Sequence, residues 1–233
     1  MRVLDRLIAP TCIVCGLPGE VRGLDLCASC LAELPTIGAA CARCAWPLTG
    51  GASSDTVCGR CLGRRSAISA TRCAYSYAWP IDHLLRALKY RHVLTHARVL
   101  GTLLADRLQR DPGYGPPDLV CPVPLGPARY AERGFNQSCE IGRFVAARLG
   151  VPMRADLLAR VRETPEQVGL ARAARRRNVR QAFAVASQTV GARRVAILDD
   201  VVTTGSTVGE IARVLHRAGA TRIEVWAVAR AVH

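Results

Sequence analysis

Eight of the chain's 11 cysteines stand in four C-x-x-C pairs: Cys12/Cys15, Cys27/Cys30, Cys41/Cys44 and Cys58/Cys61. Two thiolates at that spacing on a tight turn can face one tetrahedral Zn²⁺, and two such knuckles complete its shell. The spacing therefore predicts about two structural zinc ions, and sequential ligand sets are favoured over a cross-brace because each half of the module has enough chain to close alone. Cys12, Cys15, Cys27 and Cys30 would hold one, and Cys41, Cys44, Cys58 and Cys61 the other. A disulfide framework is the competing use of such cysteines, but it belongs to short secreted chains. The N-terminal MRVLDRLIAPTC has an acid and too short an apolar run for a signal peptide. Cys73, Cys121 and Cys139 fall outside the pattern and are expected to be buried, unreactive thiols.

A second group carries different chemistry. Residues 195–207 read VAILDDVVTTGST: an apolar strand, two adjacent acids, then hydroxyls around one glycine. If TTGST opens a helix, its free backbone N–H groups and the helix dipole form a seat for an anion. Gly205 permits a backbone conformation closed to other residues, and Thr203, Thr204, Ser206 and Thr207 can add hydroxyl donors. A monophosphate fits such a cradle, whereas the missing G-x-x-x-x-G-K-[ST] pattern argues against a nucleoside triphosphate in a P-loop. Asp199 and Asp200 would be repelled by that phosphate unless they held something else. Acids beside a phosphate can hold paired sugar hydroxyls or Mg²⁺, and ribose 5-phosphate offers both features.

Several elements must position these groups. Residues 1–66 are rich in Gly, Pro and Ser between the knuckles and read as a module held by metal rather than by a core, with a short helix at CLAEL, residues 30–34. From residue 67 the pattern changes. A strand is expected at 71–78, then a helix opened by Pro80 with Leu84, Leu85 and Leu88 on one face, and another from Thr95 to Gln109 with Leu100, Leu103, Leu104 and Leu108 inward. DLVCPVPL, 118–125, reads as a strand stopped by prolines. Residues 136–150 read as a helix presenting Ile141, Phe144, Val145 and Leu149. A weak strand near 155–161, a basic segment at 162–182, a strand at 194–199, a helix from Ser206 to Arg217 and a strand at 222–229 complete the chain. Alternating strands and helices predict a parallel sheet covered on both faces, with ligands at the carboxyl ends of its strands.

The net charge of +14 is uneven: residues 1–66 hold 7 basic and 5 acidic residues, and 67–233 hold 25 and 13, a net of +12. A polyanionic partner, a phosphorylated substrate and a solvated basic surface all fit that balance. Among 32 basic residues only Lys89 is lysine, and Asn136 and Asn178 are the only asparagines, so these three scarce residues mark positions to watch. The five histidines show no ligand spacing, and Phe135 and Phe183 are expected in the core rather than as base-stacking platforms. No stretch approaches the roughly 20 apolar residues of a membrane helix, so no membrane span and a cytoplasmic location are expected.

LDDVVTTGST resembles the phosphoribosyl pyrophosphate (PRPP) binding motif of type I phosphoribosyltransferases. With CPVPL (121–125), RYAERGFNQ (129–137), RETPEQVGL (162–170), RRRNVRQAF (175–183) and the cysteine module, nearly the whole chain resembles the ComF family. The resemblance implies an α/β, parallel-sheet phosphoribosyltransferase domain at 67–233 behind a double zinc ribbon at 1–66. It implies transfer of a phosphoribosyl group from PRPP with Mg²⁺ to an acceptor the sequence does not name. Thr203, Thr204, Gly205, Ser206 and Thr207 would then seat the 5-phosphate, and Asp199 and Asp200 the ribose hydroxyls or transition-state charge. Val123, Pro124 and Leu125 would meet the pyrophosphate, with Lys89, Arg129 and Arg133 balancing its charge. Arg162, Arg175, Arg176, Arg177 and Arg180 lie where this fold carries a closing loop. The family's association with natural competence implies the rival reading, an accessory for single-stranded DNA or the competence helicase machinery, with the PRPP site auxiliary.

Overall fold

A computed structural model describes residues 10–21, 23–50, 53, 55–162, 178–186 and 190–232. Among the described residues four strands form the central sheet: β1 (Ala70–Ser76), β2 (Leu119–Pro122), β5 (Arg194–Val202) and β6 (Arg222–Arg230), in the order β1-β6-β5-β2. Every pairing in it is parallel, as strands separated by helices require. Between these strands run α2 (Ile81–Arg91), α3 (Thr95–Gln109), α4 (Pro127–Arg133), α5 (Gln137–Leu149) and α6 (Ser206–Arg217). A short helix α1 (Ala28–Ala32) lies in the cysteine module, and β3 (Leu158–Arg160) pairs antiparallel with β4 (Phe183–Val185).

The two faces of the sheet explain the apolar runs. In β5, Ala196 and Leu198 pack with α2, α3 and α5, while Val195 and Ile197 pack with α6. β6 divides in the same way, Trp226 and Val228 on the first face and Ile223, Val225 and Ala227 on the second. Leu84, Leu85, Leu88, Leu100, Leu103, Leu104 and Leu108 are buried on the first face, as their spacing predicts. Gly101 lets α3 cross α5 closely, since a Cβ there would lie 2.7 Å from the Ile141 carbonyl oxygen and 2.8 Å from the Phe144 Cβ. Phe144 itself is exposed, against expectation, because α5 turns only Ile141, Val145 and their neighbours inward.

The cysteine module joins the first core. Leu24, Leu26, Cys30 and Leu34 pack with the α2 and α3 leucines, and Arg98 on α3 pairs with Asp25 at 2.5 Å. Further along, the Thr71 N–H donates to the Ala42 carbonyl at 2.9 Å, and Thr36 bridges to Tyr75. Other differences from expectation are local. β5 continues through Asp199 and Asp200 to Val202 because β6 pairs alongside it to Arg230. α4 and β4 were not expected, and the helix in the module begins at Ala28 rather than Cys30. No helix among the described residues is long and apolar enough to cross a membrane.

Candidate functional site

β2 and β5 are neighbours, with Pro122 opposite Leu198, so the CPVPL turn and the two aspartates stand side by side at the carboxyl end of the sheet. The Val123 N–H extends the ladder, donating to the Leu198 carbonyl at 2.9 Å, and Pro124 and Leu125 follow on the half-buried turn. Asn136 fixes this corner. Its Oδ1 caps α5 by accepting from the Ser138 N–H at 2.9 Å, and its Nδ2 donates to the Val123 carbonyl at 2.9 Å. One side chain thus ties the turn to the helix beside the aspartates.

Asp200 is buried on the face of Ala196 and Leu198, towards α2 and α5. From α2, Lys89 places its ammonium on Oδ2, and from α5, Gln137 Nε2 donates to Oδ1 at 3.3 Å. Arg133 on α4 extends the chain, donating to Gln137 Oε1 at 2.7 Å while lying 5.5 Å from the ring centroid of Tyr90. Asp199 is half-buried. Its Oδ1 accepts from the Asp200 N–H at 2.9 Å and from the Ser138 hydroxyl at 3.4 Å. The pair titrates unequally. Burial pushes Asp199 up to about 8, reinforced by the neighbouring Asp200 charge. Burial also opposes ionisation of Asp200, but the Lys89 ammonium outweighs it and holds that carboxyl below its ordinary value.

After β5 the chain turns at Thr203 and Thr204 into α6, whose N-cap Gly205 has φ +73°, a left-handed conformation that favours glycine. Thr204 Oγ1 lies 2.8 Å from Ser206 Oγ and accepts from the Ser206 N–H at 3.3 Å, while Thr207 sits half-buried in the first turn. The loop therefore presents hydroxyls and helix-start amides within a few residues of two carboxylates. That arrangement can hold a phosphate on one side and a polyol or cation on the other.

Lys89, Arg133, Asp199 and Asp200 are thus brought together, the Val123–Leu125 turn lies beside them, and Arg129 is half-buried on α4. Sequence reasoning gives Gln137, Ser138 and Arg230 no role, and it marks Asn136 only by its rarity. In the basic segment, Arg162 turns back on its own ends, donating to the Asn178 and Arg180 carbonyls at 2.8 and 2.6 Å; Arg175, Arg176 and Arg177 lie outside the described residues. Phe183 is buried as expected, and Phe135 is half-buried edge-on to His92 at 5.7 Å. Cys121 is buried, whereas Cys73 and Cys139 are half-buried by exposure. Burial still pushes Cys73 and Cys121 up to about 12 and Cys139 to about 11, so all three are poor nucleophiles near neutrality.

The eight remaining thiols form two closed groups, Cys12, Cys15, Cys27 and Cys30, and Cys41, Cys44, Cys58 and Cys61, with the sulfurs of each within 4.8 Å of one another. Cys15 and Cys27 Sγ are 3.8 Å apart, and Cys44 and Cys58 Sγ 3.7 Å. A tetrahedron with Zn–S near 2.3 Å has an edge of about 3.8 Å, so both donor sets fit structural Zn²⁺. The ligand sets are sequential rather than cross-braced.

The family model described as a double zinc ribbon domain matches residues 3–62. The chain is 34% identical over 222 residues to DNA utilization protein YhgH of Escherichia coli O157:H7, covering 94% of this chain and 96% of that one. It is 31% identical over 225 residues to Competence protein F of Haemophilus influenzae, with the same coverage of both chains. Among solved structures, the glutamine phosphoribosylpyrophosphate amidotransferase of B. subtilis is similar at 25% identity and a TM-score of 0.34. That match covers 55% of this chain and spans a quarter of the amidotransferase.

Proposed function

The chain belongs to the ComF family, and from that premise we propose that it binds PRPP at the carboxyl end of β5 and transfers its phosphoribosyl group to a nucleophilic acceptor. In this reading residues 1–66 are the zinc-held module and 67–233 carry the site. The observation that carries the proposal is the pair Asp199 and Asp200 at the end of a parallel strand, directly before the amide and hydroxyl loop that opens α6. The loop Thr203–Thr207 seats the 5-phosphate and the aspartates take the ribose hydroxyls. The Val123–Leu125 turn meets the pyrophosphate, with Arg129 and Arg133 supplying positive charge. As the acceptor's lone pair forms the new bond to C1, the bond from C1 to the pyrophosphate oxygen breaks and its electron pair leaves with pyrophosphate. Positive charge growing on C1 is stabilised by Asp199 and Asp200. The same carboxylates and the leaving phosphates suit Mg²⁺, which would neutralise the departing charge.

Lys89 fits this scheme through Asp200. Its ammonium keeps that carboxylate ionised in a buried setting, so the site retains one fixed negative charge while Asp199 holds a proton until a cation or polyol displaces it.

The test separates a sugar-phosphate site from a plain anion seat. Replacing both aspartates, Asp199→Asn with Asp200→Asn, removes negative charge beside the phosphate loop, so a simple anion seat should bind PRPP equally well or better. Loss of hydrogen bonds to charged acceptors predicts instead about 1–3 kcal/mol weaker PRPP binding by calorimetry. PRPP affinity that rises or stays level would refute the assignment.

The names of the relatives, DNA utilization protein and Competence protein F, favour a second reading, in which the domain of net charge +12 handles single-stranded DNA and PRPP is auxiliary. Following pyrophosphate release from PRPP and Mg²⁺ across bases, amines and single-stranded DNA distinguishes the two. Release that depends on an acceptor supports transfer, and salt-sensitive DNA binding without release supports the accessory role.

A further inference from the structure

The phosphate-handling motifs all lie beyond residue 66, yet one side chain reaches from them into the zinc module. Arg230 ends β6 and is only 5% exposed. Its Nε donates to the Cys44 carbonyl at 3.0 Å, and Nη1 donates to the Val202 carbonyl at 2.8 Å, the Ala231 carbonyl at 2.5 Å and the Thr203 carbonyl. Its guanidinium carbon also lies 5.4 Å from the centroid of the Trp46 ring, two residues past Cys44.

The consequence for the loop follows from peptide geometry. In a trans peptide the C=O and the next N–H point in opposite directions. By holding the carbonyls of Val202 and Thr203, Arg230 turns the N–H groups of Thr203 and Thr204 away from itself, and these are the first donors of the TTGST loop. At the other end, the Cys44 carbonyl belongs to the knuckle turn that presents the Cys44 thiolate. That turn is closed by the Cys44 and Ala45 N–H groups on the Cys41 carbonyl at 3.3 and 2.8 Å. The same knuckle is tied to β1 through Thr71, whose hydroxyl donates to the Arg43 carbonyl at 2.8 Å. Among the described residues the first knuckle packs instead on α3, through Leu26, Cys30 and the pair of Asp25 with Arg98.

We propose that Arg230 is a positioning residue that aims the phosphate-loop amides and couples their geometry to metal occupancy of the Cys41, Cys44, Cys58, Cys61 knuckle. The proposal rests on the reading of residues 203–207 as a phosphate seat. Zinc holds the knuckle turn, the turn fixes the Cys44 carbonyl, and the guanidinium anchored there holds Thr203 and Thr204 in donor orientation. Lysine cannot replace it, since a single ammonium lacks the planar fork that reaches both segments at once.

Coupling between two sites is reciprocal, so PRPP must tighten zinc at the second knuckle by the factor with which that zinc tightens PRPP. In the full-length zinc-loaded protein, zinc is titrated against a zinc-selective chelator with and without PRPP, and thiol alkylation read by mass spectrometry assigns each site. The expected result is tightening of about fivefold or more at the second knuckle and none at the first. Equal effects at both knuckles, or none at either, overturn the proposal. Arg230→Lys is expected to keep both knuckles filled and abolish the coupling; coupling that survives in it also overturns the proposal. If Arg230→Lys does not fold, the wild-type titration alone decides. If the wild type binds no PRPP, the phosphate-seat reading fails, and hydrogen exchange at residues 203–207 judges the clamp separately. Faster exchange after zinc leaves the second knuckle upholds it, and unchanged exchange overturns it.

Discussion

Asp199 should make the free protein less stable as pH rises, and Asp199→Asn should remove that dependence. In the folded chain its carboxyl is pushed up to about 8 by burial beside a second, ionised carboxylate. In the unfolded chain it returns to an ordinary value near 4. Between those two pH values the folded state holds a proton that the unfolded state has released. The stability that Asp199 contributes is therefore fully present below about pH 4 and lost as pH rises through 8. The slope is about 1.4 kcal/mol per pH unit, so between pH 6 and 8 the wild type should lose about 2–3 kcal/mol through this group. Asp200 does not obscure the effect, because its folded value lies below its unfolded one and it titrates beneath this window. Burial shifts His96 the opposite way, below its ordinary value, so it favours the folded state as pH rises; it is common to both proteins and cancels in their difference. Urea denaturation of the zinc-loaded wild type and of Asp199→Asn at pH 6, 7 and 8 measures that difference. The variant should gain on the wild type by about 2–3 kcal/mol across the range. A difference that stays flat would show that Asp199 is ionised throughout, and the account of the pair as one fixed charge and one displaceable proton would fail.

Lys89→Met should strand the buried Asp200 charge and cost about 3 kcal/mol, towards the low end for a broken buried pair because the lysine side chain is 20% exposed. Urea denaturation measures it, and adding Asp200→Asn to the same chain should recover most of the loss; a single variant within 1 kcal/mol of wild type would refute the pairing. Asn136→Ala should cost about 2–3 kcal/mol by the same measurement, from a lost α5 cap and an unsatisfied Val123 carbonyl, whereas Asn136→Asp keeps the cap and should lose only the second part. At pH 7, PRPP with Mg²⁺ should release about one proton from Asp199 on binding, read by calorimetry in buffers of different ionisation enthalpy; uptake of a proton would contradict the scheme.

What could be read from the sequence was whatever repeats at a fixed period or spacing. α3 and α6 begin and end where their apolar spacing puts them, because each buries a long stripe on one face of the sheet. The two four-cysteine groups were legible because tetrahedral thiolate ligation imposes its own spacing. α4 was not legible: it is seven residues long, buries none of them and so has no apolar period. The end of β5 was misread for a different reason. Two acids look like the edge of a sheet, yet the strand runs on to Val202 because β6, more than 20 residues later, pairs with it to Arg230. The site shows the same division between side chain and main chain. In the proposed site Asp199, Asp200 and the TTGST hydroxyls would act through their own side chains, and residue type announces them. Lys89 and Asn136 stood out because the rest of the chain avoids their types, Lys89 also as a charge-balancing residue implied by the resemblance, and their contacts with Asp200 and the Val123 carbonyl give that rarity a physical reason. Arg230 left no trace at all. It is one of many arginines, and its partners are main-chain carbonyls 28 and 186 residues away, which every residue carries and no spacing can mark. A motif search can thus find the groups that would touch a substrate, while the groups that would aim them are found only after the chain has folded.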